Sequence, residues 1–294
     1  MKKLLTAITL LLLPVIAFGQ QHTRAVEFKF DWKDQNRAVV SAENHDYCDY
    51  YVRLDFKDLM GYDQRGNNVQ TIGRGRKDLV TLVKNGATLG STAYTTRSYR
   101  GNINKKVNPD FVYALPVQSG DSIRFRVHRK ERFTSLFSFK YATSDTVYAC
   151  RAGRVCDNRL TDTSTKTLYR MERIFIYHND GSIGEYFQFS KPLVYPGDDV
   201  KMGQPIAILE SHEKGRTAVA FSVYFLDKNM IDSGSGQVHS SIVPIFHSAN
   251  HGDVKLEEKT TYISEGVTEE MLLQDMSKKE REKYMKNKEK QNKK

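Results

Sequence analysis

Three kinds of side chain in this sequence could do chemistry by type and spacing: histidines, clustered carboxylates and cysteines. The chain holds 8 His. His247 and His251, in HSANH, stand four positions apart, the spacing that puts two imidazoles on one helix face as metal ligands. Pro244 and the β character around them argue against that helix. His178 precedes an NDG turn and reads as a turn or edge residue, and His212 sits in the loop SHEKGR. Asp46, Asp49 and Asp55 read as surface carboxylates rather than a metal site. Cys150 and Cys156 bracket ACRAGRVC, with Gly153 expected in a tight turn. Either these two pair in a disulfide across a hairpin, leaving Cys48 over, or all three are buried thiols.

The stretch TAVAFSVYF, 217–225, raises a different question. It alternates with the period of a strand. Thr217, Val219, Phe221, Val223 and Phe225 make a strong core face, while Ala218, Ala220 and Ser222 leave a shallow trough on the other. Something lies over such a trough, or something has been removed from it.

The elements that must position these residues are mostly strands. AVEFKFDW, RAVVSAE, YYVRLDF and DSIRFRVHR alternate, with turn signals such as DQRGNN and KNGATLG between them, which predicts a β-sandwich over 20–131. That region holds no catalytic constellation. ERIFIYH, NDG and SIGEYFQF read as strand, hairpin turn and returning strand. KPLVYPGDDVKMGQPIAILES adds a Pro-Gly-Asp turn and another at Gly203. A second β domain is expected over 132–228, and an irregular extension over 229–266, where SSIVPIF and KTTYIS could add edge strands. The stretch 267–294 reads as a basic helical or disordered tail. Thr268 can cap a helix there, with Glu269 and Glu270 in its first turn.

Composition bounds the setting. MKKLLTAITLLLLPVIAFGQ has a positive start, an apolar run too short to span a membrane and a small-x-small cleavage site, so 1–19 reads as a secretory signal peptide. No later stretch approaches roughly 18 consecutive apolar residues, so no transmembrane segment is expected. The 15 Phe and 16 Tyr suffice for a core. The formal charge of +10 is uneven: from Asp275 to Lys294, nine Lys or Arg stand against four Asp or Glu. A basic exported protein meets anionic polymers and headgroups of the envelope before nucleic acid, so no nucleic-acid partner is expected.

In order, DTVYACRAGRV, IYHNDGSIGEYFQF, LVYPGDDVKMGQPIAIL and TAVAFSVYF resemble the LytM/lysostaphin-type zinc endopeptidases, which cut peptidoglycan cross-bridges. The resemblance covers roughly residues 133–226, and VYPGDDVKMGQPIA is its most specific phrase. It implies a compact antiparallel β fold with a groove. It also implies a zinc held by two His and one Asp, with a further pair of His assisting as general base or transition-state stabiliser.

Carried over residue by residue, the chemical positions hold other side chains. FKYATSDTVYA places Ser138 at the ligand Asp and Thr134 at the first ligand His. The His that follows the hairpin Tyr, here Tyr186, is Gln188. The His-x-His of the last strand is Ala218-Val219-Ala220. On this reading the trough is where imidazoles would have stood, and no metal or other cofactor is expected. The chain reads as a mainly β pseudo-peptidase of the periplasm, peripheral at the outer membrane. It is expected to act as a scaffold or accessory subunit of an envelope complex for protein assembly or secretion, with envelope proteins as partners. The groove Thr134, Ser138, Gln188, Ala218, Ala220 is then a candidate binding surface. The alternatives are a regulator of cell-wall hydrolases, a role implied by zinc-free relatives, a peptidoglycan-binding protein, or an active endopeptidase with ligands elsewhere.

Overall fold

A computed structural model describes residues 24–86, 91–131, 134–142, 144–160, 173–209 and 218–292. The N-terminal part contains β1 (Val26–Asp34), β2 (Arg37–Asn44), β3 (Tyr50–Met60), β4 (Tyr62–Gly66), β5 (Val69–Ile72), β6 (Gly75–Lys84) and β7 (Ser91–Arg100). They form two sheets, in the orders β1-β2-β6-β4 and β5-β3-β7. Alternation does the sorting: Ala38, Val40 and Ala42 of β2 and Tyr50, Val52 and Leu54 of β3 point inward into one core. This is the expected sandwich. DQRG, expected as a turn, lies in β4 instead: at Gly61 (φ 78°), two residues before the polar run, the chain leaves the sheet of β3 and enters that of β6, with which β4 pairs.

The rest continues with β8 (Val112–Tyr113), β9 (Ser122–Glu131), β10 (Thr134–Tyr141), β11 (Thr146–Tyr148), β12 (Gly153–Val155), β13 (Arg173–Tyr177), β14 (Ser182–Phe187) and β15 (Lys191–Pro192). Then come β16 (Asp199–Val200), β17 (Pro205–Ile208), β18 (Ala218–Leu226), α1 (Lys228–Asp232), β19 (His239–Ile242), β20 (Ile245–Ser248), β21 (Gly252–Val254) and β22 (Thr261–Ile263). The helices α2 (Glu269–Gln274) and α3 (Lys278–Asn292) end the chain. A long sheet runs β16-β12-β13-β14-β18-β10-β9-β22, with β19 also paired to β18. Two small sheets, β11-β17-β15 and β21-β20-β8, complete this half.

One strand falls on the other side of the expected boundary. β9, expected in the sandwich, pairs with β10 and β22 in the long sheet. The extension over 229–266 does add edge strands, β19 and β22. Among the described residues no helix is long and apolar enough to cross a membrane.

The long sheet is buried on both faces along β13, β14 and β18. One face sends Ile174, Ile176, Tyr186, Val219, Phe221 and Val223 into a second core, where Phe139, Phe246 and Phe221 pack edge-on and tilted. The other face sends Phe175, Tyr177, Ile183 and Tyr224 into the sandwich core. Burying each such side chain contributes about 1.5–3 kcal/mol. The two halves therefore share a core, and the sandwich caps part of the long sheet. Gly197, in the Pro-Gly-Asp turn, touches this junction. Its φ is 96°, and a Cβ there would stand 2.6 Å from the Tyr47 ring, so only glycine lets the turn approach the sandwich so closely.

The C-terminal segment is better anchored than its charge suggests. Thr268 caps α2 by accepting from the Met271 N–H, as its position predicts. Met271 is buried in the second core, and Gln274 accepts from the Val112 N–H at 2.8 Å. α3 is a continuous helix paired back to α2 through Lys288 and Glu269.

Candidate functional site

Strand pairing decides which of the chemical positions meet. Ser138 of β10 lies directly opposite Ala220 of β18, and Ala220 lies opposite Phe187 of β14 on its other side. Ala218 is two residues before Ala220 on the same face. Gln188 follows the end of β14 with φ 69°, a left-handed conformation uncommon for a residue with a side chain. Thr134 begins β10, but its side chain lies outside the described residues, as do Thr217 and His212. Ser138, Ala220, Ala218 and the neighbouring Gln188 thus form one patch spanning three strands, the positions to which the resemblance assigns the zinc chemistry.

The donor set there does not fit zinc. The metal takes thiolate, imidazole or carboxylate ligands; this patch offers a neutral hydroxyl, two methyl groups and an amide. Nor is the patch an open groove floor: Ser138 is 4% exposed and Ala220 0%, while Ala218 and Gln188 are half-buried. Side chains as small as Ala220 and Ser138 leave room for neighbours to close over this face.

The charged groups on this face were missed in the sequence. Glu185 of β14 is buried, sits opposite Ser222 and accepts from its hydroxyl at 3.3 Å. Arg173 of β13 pairs with Glu185, and its guanidinium carbon lies 5.1 Å from the Phe187 ring centroid. The signal was available: Arg173 and Glu185 are diagonal neighbours across the hairpin read from ERIFIYH and SIGEYFQF.

A second cluster surrounds Arg151, which is 2% exposed. Its guanidinium pairs with Asp180 at 2.9 Å and Asp275 at 2.6 Å, and lies 3.7 Å from the Phe111 ring centroid. Burial disfavours the Asp180 charge, but Arg151 and hydrogen bonds from Ser182 and the Asn108 N–H outweigh it and hold the carboxyl down at about 2. His178 lies beside this cluster and is buried, not at an edge. Its Nδ1–H donates to the Ala152 carbonyl at 2.7 Å, while burial and the Arg151 cation push its pKa down to about 3. It is therefore a neutral core histidine. Arg151 links the tail to the long sheet through α2, which a charge count cannot show.

The third cluster joins the halves. Asp46, expected at the surface, is 0% exposed. Its Oδ1 accepts from the N–H groups of Tyr47 and Asp157, both at 2.7 Å. Its Oδ2 accepts from the Tyr50 hydroxyl at 3.1 Å and from Arg100 at 2.8 Å. Arg100 also donates to the Asp157 carbonyl at 2.9 Å and lies over the Phe175 ring. Asp49, also expected at the surface, is partly buried and accepts from the Tyr177 hydroxyl and Asn102, both at 2.8 Å. Asp55 pairs with Arg53 on the sandwich. His247 pairs with Asp253 and Glu265, and His251 packs on Tyr262, so the two imidazoles of HSANH do not act together.

Of the two readings of the cysteines, a Cys150–Cys156 disulfide or three buried thiols, the structure has the second. All three are free and buried. Cys150 lies in the second core and Cys156 in the sandwich core beside Cys48. ACRAGRVC is no tight hairpin: Gly153 starts β12, and a Cβ there would meet the Tyr177 carbonyl oxygen at 2.5 Å. The stretch runs from one core to the other, which separates Cys150 from Cys156.

No curated protein matches the chain. Among solved structures it is similar to Helicobacter pylori Csd3 in a hexagonal crystal, at 15% identity and TM-score 0.28, over 64% of this chain and 45% of that one. It is similar to the same protein in an orthorhombic crystal at 10% identity and TM-score 0.29, over 90% and 79%. It is also similar to a zinc containing peptidase from Vibrio cholerae at 15% identity and TM-score 0.24, over 67% and 81%. The chain thus spans less than half the length of the first of these. The family model described as peptidase family M23 matches residues 132–233, about a third of the chain, and that segment is similar to the M23, LytM-type peptidase domain.

Proposed function

We propose that this chain is a non-catalytic peptidase-like protein of the cell envelope, working as a scaffold or accessory subunit of a periplasmic or outer-membrane complex. One observation supports the reading: Ser138 and Ala220, which the resemblance puts at ligand positions, stand side by side across paired strands and neither can bind a metal. A peptidase fold kept in register without ligand side chains serves through its surfaces. The signal peptide and the periplasmic location belong to the same proposal. So does docking through α3, whose seven Lys or Arg against three Glu give it a basic surface. The half-buried Gln188 and Ala218 mark where a peptide strand of a partner would enter.

The test is affinity purification of the tagged full chain from detergent-solubilised envelopes, with native mass measurement and zinc analysis of the same sample. The expected result is a zinc-free complex of fixed stoichiometry. A zinc-loaded chain that elutes alone and cleaves cross-bridge peptides overturns it. Retention on purified sacculi that survives high salt and loss of 275–294 supports the wall-binding alternative instead.

A further inference from the structure

The Sγ atoms of Cys48 and Cys156 and a carboxylate oxygen of Asp46 all lie within 4.8 Å of one another. The two cysteines are each 2% exposed and stand 108 positions apart in sequence, one after β2 in the sandwich and one after β12 in the long sheet. Two functions fit so close a buried pair: a metal site with Asp46 as third ligand, or a disulfide. Asp46 decides between them. Both of its oxygens are fully engaged, by two backbone N–H groups, the Tyr50 hydroxyl and Arg100. Turning a carboxylate oxygen to a metal would strip a buried guanidinium of its partner, which is strongly unfavourable. Two thiols without a third protein ligand make a poor closed zinc site.

We propose that Cys48 and Cys156 form a disulfide that staples the sandwich to the peptidase-like domain. The step needs a disulfide-bearing oxidant. The thiolate of one cysteine attacks the donor disulfide, forming a mixed disulfide and releasing one donor thiol. The second cysteine attacks that mixed bond, closing Cys48–Cys156 and releasing the second donor thiol. Two electrons pass to the donor, and the two thiol protons end on its sulfurs. Burial pushes the Cys48 thiol up, and the Arg100 cation works against that rise, so the thiolate has a partner charge nearby. Cys150 takes no part: it lies in the other core, and burial pushes its thiol up to about 12. In the cell the donor is a thiol–disulfide oxidoreductase of the envelope, which rests on the exported location proposed above. The chemistry is therefore tested on the purified chain, so that it and the location fail separately.

The purified full chain is equilibrated with oxidised glutathione in mild urea, which lets the junction open. Thiols are then counted after denaturation, and non-reduced peptides are mapped by mass spectrometry. The expected result is one remaining thiol and a linked peptide pair containing Cys48 and Cys156. The oxidised chain is expected to melt about 5 °C or more above the reduced one, since the bond closes a long loop. Cys150→Ala is expected to leave the link and the shift unchanged. Three titratable thiols after equilibration, or a link through Cys150, overturns the proposal. So does stoichiometric protection of both thiols when zinc alone is added to the reduced chain. The map is made on the unaltered sequence, so a variant that fails to fold does not obstruct it.

Discussion

The patch at Ser138 and Ala220 and the junction at Asp46 and Arg100 are both buried and both sit on the face of the long sheet turned toward the sandwich, yet they are built oppositely. At the patch, where a family member would concentrate its charge, there are methyl groups, one hydroxyl and an amide. At the junction, which carries no catalytic expectation, a full ion pair is buried with each carboxylate oxygen accepting twice. Buried charge is costly unless its partners are complete. Here buried charge joins the two halves and is absent from Ser138, Ala218 and Ala220, with the nearest buried carboxylate, Glu185, paired to Arg173 beside the patch. The Arg151 cluster repeats the lesson at the other end, tying α2 to the sheet.

The contrast breaks first at Asp46. Asp46→Ala leaves Arg100 buried without its carboxylate and is expected to cost on the order of 3–5 kcal/mol, read as a lower urea midpoint. A loss under about 1 kcal/mol would mean the pair is worth no more than an exposed one. Next comes an attempt to rebuild the patch. Ser138→Asp combined with Ala220→His forces volume and charge into closed packing, for a cost of about 3 kcal/mol and no gain of zinc binding. A stable, zinc-binding double variant would erase the distinction between the two regions.

His178 sharpens the comparison by pH. Its folded pKa, about 3, lies below the unfolded value of 6.5, so the unfolded chain takes up the proton first. Its contribution is complete above pH 6.5 and is lost as pH falls toward 3, about 2 kcal/mol by pH 5. His178→Gln should flatten that slope in chemical denaturation across pH 5 to 7; an unchanged slope would assign it to other groups. The smallest effect is His247, where burial opposes the charge but hydrogen bonds to Asp253 and Glu265 raise the pKa. Its stabilisation is present below about pH 6.5 and fades as pH rises through the folded pKa, by under about 1 kcal/mol for a partly exposed pair. The melting temperature of His247→Gln should match the parent at pH 9 and fall slightly below it at pH 6.

The strands were legible because alternation records which side is buried, and β2, β3, β13, β14 and β18 stand close to where their patterns place them. The patch was legible because its phrases are local: a fixed distance separates Ser138 from DTVYA, and Ala218 and Ala220 share one strand. What could not be read were meetings across long sequence distances. Asp46 looks like a surface carboxylate until Arg100 and the Asp157 N–H close around it. Cys156 looks like the partner of Cys150 until β12 runs from one core to the other. β9 alternates like a sandwich strand, and only its pairing with β10 moves it across the boundary. The closure over Ala220 has no local signal, since small residues fit an open trough and a covered one equally well.

The most direct measurement is calorimetric titration of zinc into the purified full chain after its thiols have been oxidised, which removes Cys48 and Cys156 as ligands. The account predicts no saturable binding. Saturable binding of one zinc per chain, abolished by bulky substitution at Ala220, would contradict it and return the patch at Ser138 and Ala220 to catalysis.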